Sequence, residues 1–185
     1  MKKPLIVYVS GSPGSGKTTL GRILADKLYI QQLTVDKLHA GIRLTTDEFN
    51  DRKQTFHDVI VPLMQTMARR DISFVVDHTL IEGVSQGDVL DKLTPLAQLI
   101  NVHLINDDPI GRYIHRNETR DDIQRYMSRA ANPENIQRHR DNLIYTQSPL
   151  TVDVPQLVVN TNDGYDPSVD EIVAFIMNAY KRDIV

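Results

Sequence analysis

Apolar residues follow two alternating patterns along this chain. Apolar-rich stretches of strand length recur at 5–9, 33–36, 73–77, 99–105 and 156–160. Between them, apolar positions recur at helical spacing over 17–29, about 47–69, 84–93, 109–130, 132–146 and 167–181. Leu5-Ile6-Val7-Tyr8-Val9 shows no polar alternation, the mark of a strand covered on both faces. Leu20, Ile23, Leu24 and Leu28 repeat at i, i+3, i+4 and i+8, one stripe of a helix. Pro62 is expected to kink or split the second helix, since it lacks an N–H and its ring crowds the preceding turn. Strands separated by helices predict an α/β protein, a three-layer α/β/α sandwich around a mostly parallel five-stranded sheet. No repeat, low-complexity tract or linker interrupts the 185 residues, so a single domain is expected over 1–185.

In an open parallel sheet, ligands lie beyond the carboxyl ends of the strands. The residues just after each run therefore carry the interest: the loop 10–18, Asp36, Asp77, Asp107-Asp108, and 160–163. The first is the most specific. Gly11-Ser12-Pro13-Gly14-Ser15-Gly16-Lys17-Thr18 has the form G-x-x-x-x-G-K-[ST], with a strand before it and a helix after it. Glycines let the backbone wrap a phosphate, and successive N–H groups form an anion-binding nest. The following helix adds the positive end of its dipole. Gly11, Ser12, Gly14, Ser15, Gly16, Lys17, Thr18 and Thr19 are the expected phosphate-contacting residues of an ATP site. Lys17 is placed to reach the β- and γ-phosphates and the Thr18 hydroxyl to ligate Mg²⁺.

Two strand-end carboxylates extend the pattern. Asp36 closes the run 33–36 and either serves a phosphotransferase as base or orienter of the attacking hydroxyl, or caps a helix beginning at Lys37. Asp77 closes Ser73-Phe74-Val75-Val76 and either lies at Mg²⁺, directly or through water, or starts an exposed loop. His78 and Thr79, which follow, are expected either to line the acceptor site or, for His78 alone, to be structural; His39 reads as a residue near substrate. Asp47 and Glu48 read as a helix start after Thr45-Thr46.

Seven arginines and no lysine occur between residues 112 and 140. Arg112, Arg116 and Arg120 fall at i, i+4 and i+8 on one helical face. The segment 109–142 reads as an Arg-rich helical lid, with Arg116 and Arg120 on the transferred phosphoryl, or else as a solvated face paired with Glu118, Asp121, Asp122 and Glu134. The loop 158–163 carries only a weak signal for passing near the nucleotide base.

Composition removes several classes. The net charge of −3 gives no general attraction to nucleic acid or membrane. The absence of cysteine excludes disulfides and thiolate metal sites and fits a reducing, cytoplasmic setting. No apolar run approaches the ~18 residues of a membrane span. No obligate protein partner is expected. The histidines show no metal-ligand spacing. The Asn-Lys-x-Asp of GTPases and the Leu-Ser-Gly-Gly-Gln of transport cassettes are absent. A nucleotide-binding switch or regulatory ATPase is the alternative to a kinase.

Gly-Ser-Pro-Gly-Ser-Gly-Lys-Thr-Thr, the strand end at Asp36, Val-Val-Asp77-His-Thr-Leu, and Arg116-Asn117 with Arg120 together resemble the small P-loop kinases. The pattern is similar to the AAA-type ATP-binding group of polynucleotide 5′-kinases, chloramphenicol phosphotransferases and zeta-toxin-like kinases. The resemblance implies a P-loop NTPase fold and an ATP- and Mg²⁺-dependent kinase. Its acceptor would be a hydroxyl of a small molecule or of a nucleotide or polynucleotide 5′ end. It further implies Asp36 as the base and Arg116 and Arg120 as lid arginines. Where polynucleotide kinases carry an arginine shortly after that aspartate, this chain has His39. The Asp-Gly-Phe-Pro-Arg segment of nucleoside monophosphate kinases and the Asp-x-Asp of shikimate kinases are absent.

Overall fold

Val7 sits at the centre of the sheet, paired with Val75 on one side and Ile100 on the other. The computed structural model describes residues 3–46, 51–81, 86–119, 132–151 and 153–182. Its sheet is wholly parallel, with strands β1 (Leu5–Gly11), β2 (Gln31–Thr34), β3 (Phe74–Asp77), β4 (Gln98–Ile105) and β5 (Gln156–Asn160) in the order β2-β3-β1-β4-β5.

Every residue of β1 is buried, as its unbroken apolar run implied. Its side chains alternate between two cores. Ile6 and Tyr8 join Phe74 and Val76 in one, under α2 (Val35–Thr45), the helical stretch 52–69 and α5 (Gln86–Leu93). Val7 and Val9 join Ile100 and Val102 in the other, under α1 (Lys17–Leu28) and the C-terminal helix Val169–Arg182. The result is the expected α/β/α sandwich. Ser168 and Glu171 start that last helix as a reciprocal capping box, with Ser168 N–H donating to Glu171 Oε2 at 2.9 Å.

Three expectations change. The run 33–36 does not stay extended to Asp36: β2 pairs only with β3, and the ladder ends at Thr34↔Asp77. Beyond Thr34 there is no strand to bond, so Val35 turns into the core as the first residue of α2. The predicted helix 47–69 is preceded by α2 and begins at residue 52, as α3 (Arg52–Thr55), a π turn (Phe56–Ile60) and α4 (Val61–Arg69). Pro62 neither kinks nor splits it. The Val61 N–H reaches back five residues to the Phe56 carbonyl, and this wide turn absorbs the proline. The predicted helix 132–146 divides at Asn142 into α7 (Pro133–Asp141) and α8 (Leu143–Gln147). Ahead of them, α6 covers Pro109–Thr119; residues 120–130 of its predicted span, and the Asp47-Glu48 helix start, lie outside the described residues. Among the described residues no helix is long and apolar enough to cross a membrane.

Candidate active site

The phosphate loop leaves β1 at the carboxyl edge of the sheet. Gly11, Gly14 and Gly16 all adopt positive φ, +131°, +90° and +95°. At Gly14 a side chain is excluded twice over, because a Cβ would also collide with the Pro109 carbonyl at the start of α6. Gly16 is followed directly by α1, so Lys17 and Thr18 stand in its first turn.

Lys17 Nζ donates to the carbonyls of Gly11 at 3.0 Å and Ser12 at 2.7 Å. Burial lowers its pKa to about 8, against the opposing pull of Asp36 and Asp77. Thr18 Oγ1 donates to Asp77 Oδ2 at 2.7 Å. Gln32 Nε2 holds the other carboxylate oxygen at 3.1 Å and the Thr18 carbonyl at 3.0 Å. Burial raises the Asp77 pKa, opposed by the Thr18 hydrogen bond and the Lys17 charge.

A cavity of about 400 Å³ opens beside these groups. Asp36, in the first turn of α2, lines it and pairs with Arg52 of α3. Loss of solvent opposes ionisation of Asp36, but Arg52, His78 and Lys17 outweigh it and hold the carboxyl below its ordinary pKa. The capping alternative fails: α2 starts at Val35 with Thr34 at the cap position, so Asp36 is its second residue, and it lines the cavity. Phe56 stacks on His78 with ring centroids 4.5 Å apart, and burial drives the His78 pKa down to about 4.

The same cavity is lined by Tyr113 and Arg116 of α6 and by Arg138 and His139 of α7. The Arg116 guanidinium lies 5.5 Å from the centre of the Tyr113 ring, which meets His139 edge-on at 4.8 Å. Arg112, on the same stripe as Arg116, turns away and donates to the carbonyls of Thr161 and Asn162, both at 2.7 Å. Arg120 lies outside the described residues. Ser12 and Ser15 are fully buried beneath the loop, with Ser12 Oγ 2.8 Å from Thr146 Oγ1 of α8. The Thr19 side chain is exposed and stands outside the cavity wall. The loop 158–163 also stays out of the wall; Thr161 bonds the Ser15 carbonyl instead.

His78 and Thr79 both line the cavity, as expected of residues following Asp77. Sequence reasoning missed Gln32, Arg52, Phe56 and Thr146. None stands in a motif. Gln32 stands in β2, two residues before its end, and that closeness to a strand end was the available signal. Arg52 and Phe56 come from a helix whose start was misplaced.

The domain profile AAA_33, described as an AAA domain, matches residues 6–142, from the first strand to the end of α7. The chain belongs to the AAA_33 family. Across 99% of its length this AAA_33 protein is 26% identical to the whole of a shikimate kinase from Corynebacterium efficiens. It superposes with a TM-score of 0.72 and 18% identity on a structure from Chloroflexus aurantiacus provisionally named a kinase, covering 98% of each chain. It also superposes on a chain of the Pnkp1/Rnl/Hen1 RNA repair complex with a TM-score of 0.58 and 17% identity, covering 79% of this chain and 46% of that one. The AAA_33 protein is a P-loop phosphotransferase, a kinase with a hydroxyl acceptor.

Proposed function

We propose that this AAA_33 protein transfers the γ-phosphoryl group of ATP to a hydroxyl of a small molecule. The observation that carries the proposal is convergence. Lys17, the Thr18–Asp77 pair and Asp36 come from separate segments and meet on one cavity of about 400 Å³, whose wall also holds Arg116 and Arg138.

Loop N–H groups and Lys17 would hold the β- and γ-phosphates. Lys17 already carries two hydrogen bonds to loop carbonyls and exchanges them for phosphate oxygens. Thr18 and Asp77 fit Mg²⁺: a hydroxyl and a carboxylate are hard oxygen donors, and few protein ligands suit an ion that keeps waters and substrate oxygens. When bound, that ion would neutralise charge on the phosphates. Asp36 receives the acceptor's hydroxyl and aims it along the line of displacement. The new O–P bond forms at γ-phosphorus as the bond to the β,γ-bridging oxygen breaks, and ADP departs. Asp36 accepts the hydroxyl proton late, since its lowered pKa makes it a weak base and the transition state is loose. Arg116 spreads charge from the transferred phosphoryl. The segment 109–142 acts as a lid, with Arg120 as its second arginine. A nucleotide or polynucleotide 5′ end, the other acceptor implied by the resemblance to polynucleotide kinases, is the second reading; the RNA repair complex contains a chain of the same fold.

ADP release from Mg·ATP, measured with pooled hydroxyl acceptors, tests the reading. Stimulation by one pool that vanishes in Lys17→Ala supports it. Equal stimulated turnover in Lys17→Ala rejects it.

A further inference from the structure

His39 lies three residues beyond Asp36 on the same face of α2, and both line the cavity. The residue is only 4% exposed, yet its buried Nε2 has no hydrogen-bond partner among the described residues. A buried polar nitrogen without a partner forfeits its hydration and normally finds a mate in the protein or in a ligand. The phosphoryl transfer described above makes no use of this one.

The surroundings define what fits there. Burial first, then the guanidinium groups of Arg52 and Arg43, lower the His39 pKa, so the ring is neutral at physiological pH. A neutral imidazole nitrogen donates or accepts according to tautomer, and a hydroxyl complements either form. An ammonium group bound at His39 would meet the positive charge of Arg52, which already acts on the ring, and Lys53 lines the same cavity. The stacked rings of Phe56 and His78 form an adjoining wall, flat and uncharged, against which the carbon face of a ring can lie.

We propose that the acceptor is a small, non-cationic polyol, held with its attacking hydroxyl on Asp36 and a second hydroxyl on His39 Nε2. His39 is then the residue that reads the hydroxyl pattern of the substrate. This rests on the kinase reading of the same site.

The test uses the full chain with Mg·ATP. Glucose, gluconate and shikimate are each assayed beside forms lacking one hydroxyl, together with glucosamine and a 5′-hydroxyl oligonucleotide. At least one of the three polyols should stimulate ADP release, and glucosamine and the oligonucleotide should not. In His39→Phe the KM for the responding polyol should rise about tenfold, the cost of one hydrogen bond, with kcat and the KM for ATP little changed. His39→Gln, which keeps a donor and an acceptor, should restore most of the affinity. Removing the matching hydroxyl from the polyol should cost as much in the wild type and nothing further in His39→Phe. An unchanged polyol KM in both variants, a preference for the oligonucleotide, or no response to any polyol overturns the assignment. The underlying kinase reading fails differently: direct titration would show Mg·ATP binding equally tightly to the wild type and Lys17→Ala.

Discussion

Thr18 Oγ1 and Asp77 Oδ2 lie 2.7 Å apart although 59 positions separate them in the chain. The parallel register makes the contact. Val9↔Asp77 and Thr34↔Asp77 set the end of β3 beside the end of β1, where α1 begins. Gln32 then takes the second oxygen of Asp77, so both oxygens are oriented before any ligand arrives.

Asp77→Asn keeps the shape of this pair and removes its charge. The Mg²⁺ concentration for half-maximal rate should rise about 10- to 100-fold at saturating ATP, the usual penalty for a disturbed metal environment. A Mg²⁺ titration of ADP release measures it. An unmoved midpoint removes Asp77 from the metal site.

Lys17 should make nucleotide binding pH-dependent. Its cationic form holds phosphate, and burial brings its pKa to about 8 from an ordinary value of about 10.4. The charged fraction of the free protein falls as pH rises through that point. ATP affinity should therefore weaken above about pH 8, approaching tenfold per pH unit, and stay level below it. Lys17→Arg remains charged and should show no such slope, however weakly it binds. Fluorescent-nucleotide titrations between pH 7 and 9.5 decide the matter.

Asp36 and Arg52 form an ion pair on the cavity wall. Burial pushes the Asp36 pKa up, but the guanidinium of Arg52 leads the groups that bring it below the ordinary value. Arg52→Met removes that cation, so the carboxyl should titrate at a higher pH. Carbon-detected NMR of the Asp36 carboxyl reads the midpoint directly. The kcat of this variant should fall as well, because Asp36 loses its orientation; a wild-type kcat would show that the pair is only structural.

Arg116 should affect rate more than affinity. It lies over Tyr113 on the cavity wall and, in the proposed mechanism, neutralises charge that develops during transfer. Arg116→Ala should lower kcat by about 10³-fold, with a much smaller change in the KM for ATP. Arg116→Lys should recover little, for want of the planar fork. A loss confined to KM would assign it to ground-state binding instead.

The phosphate loop was legible because all its parts are consecutive and its glycines are demanded by backbone geometry. Asp36 and Asp77 were legible through a rule of place: ligands gather where parallel strands end. The arginine stripe was half legible. Helical spacing put Arg112 and Arg116 on one face, but their long side chains reach different targets, Arg112 the carbonyls of Thr161 and Asn162 and Arg116 the cavity. The end of β2 was misjudged because a strand lasts only as long as its neighbour, and apolar character alone does not reveal where β3 stops. Pro62 was misjudged because a π turn one step upstream can house it.

Sequence by itself determined the layered α/β order, the two-sided burial of β1 and the phosphate loop, since periodicity and local backbone chemistry act over a few residues. Only the tertiary structure decided that Gln32 orients Asp77, that Arg52 pairs with Asp36, and that His39 faces the cavity from a buried position with Nε2 unpartnered. Those relations depend on which strand lies beside which and how far each helix turns before it packs. These are long-range consequences of burying two cores at once, and no single segment of the chain contains them.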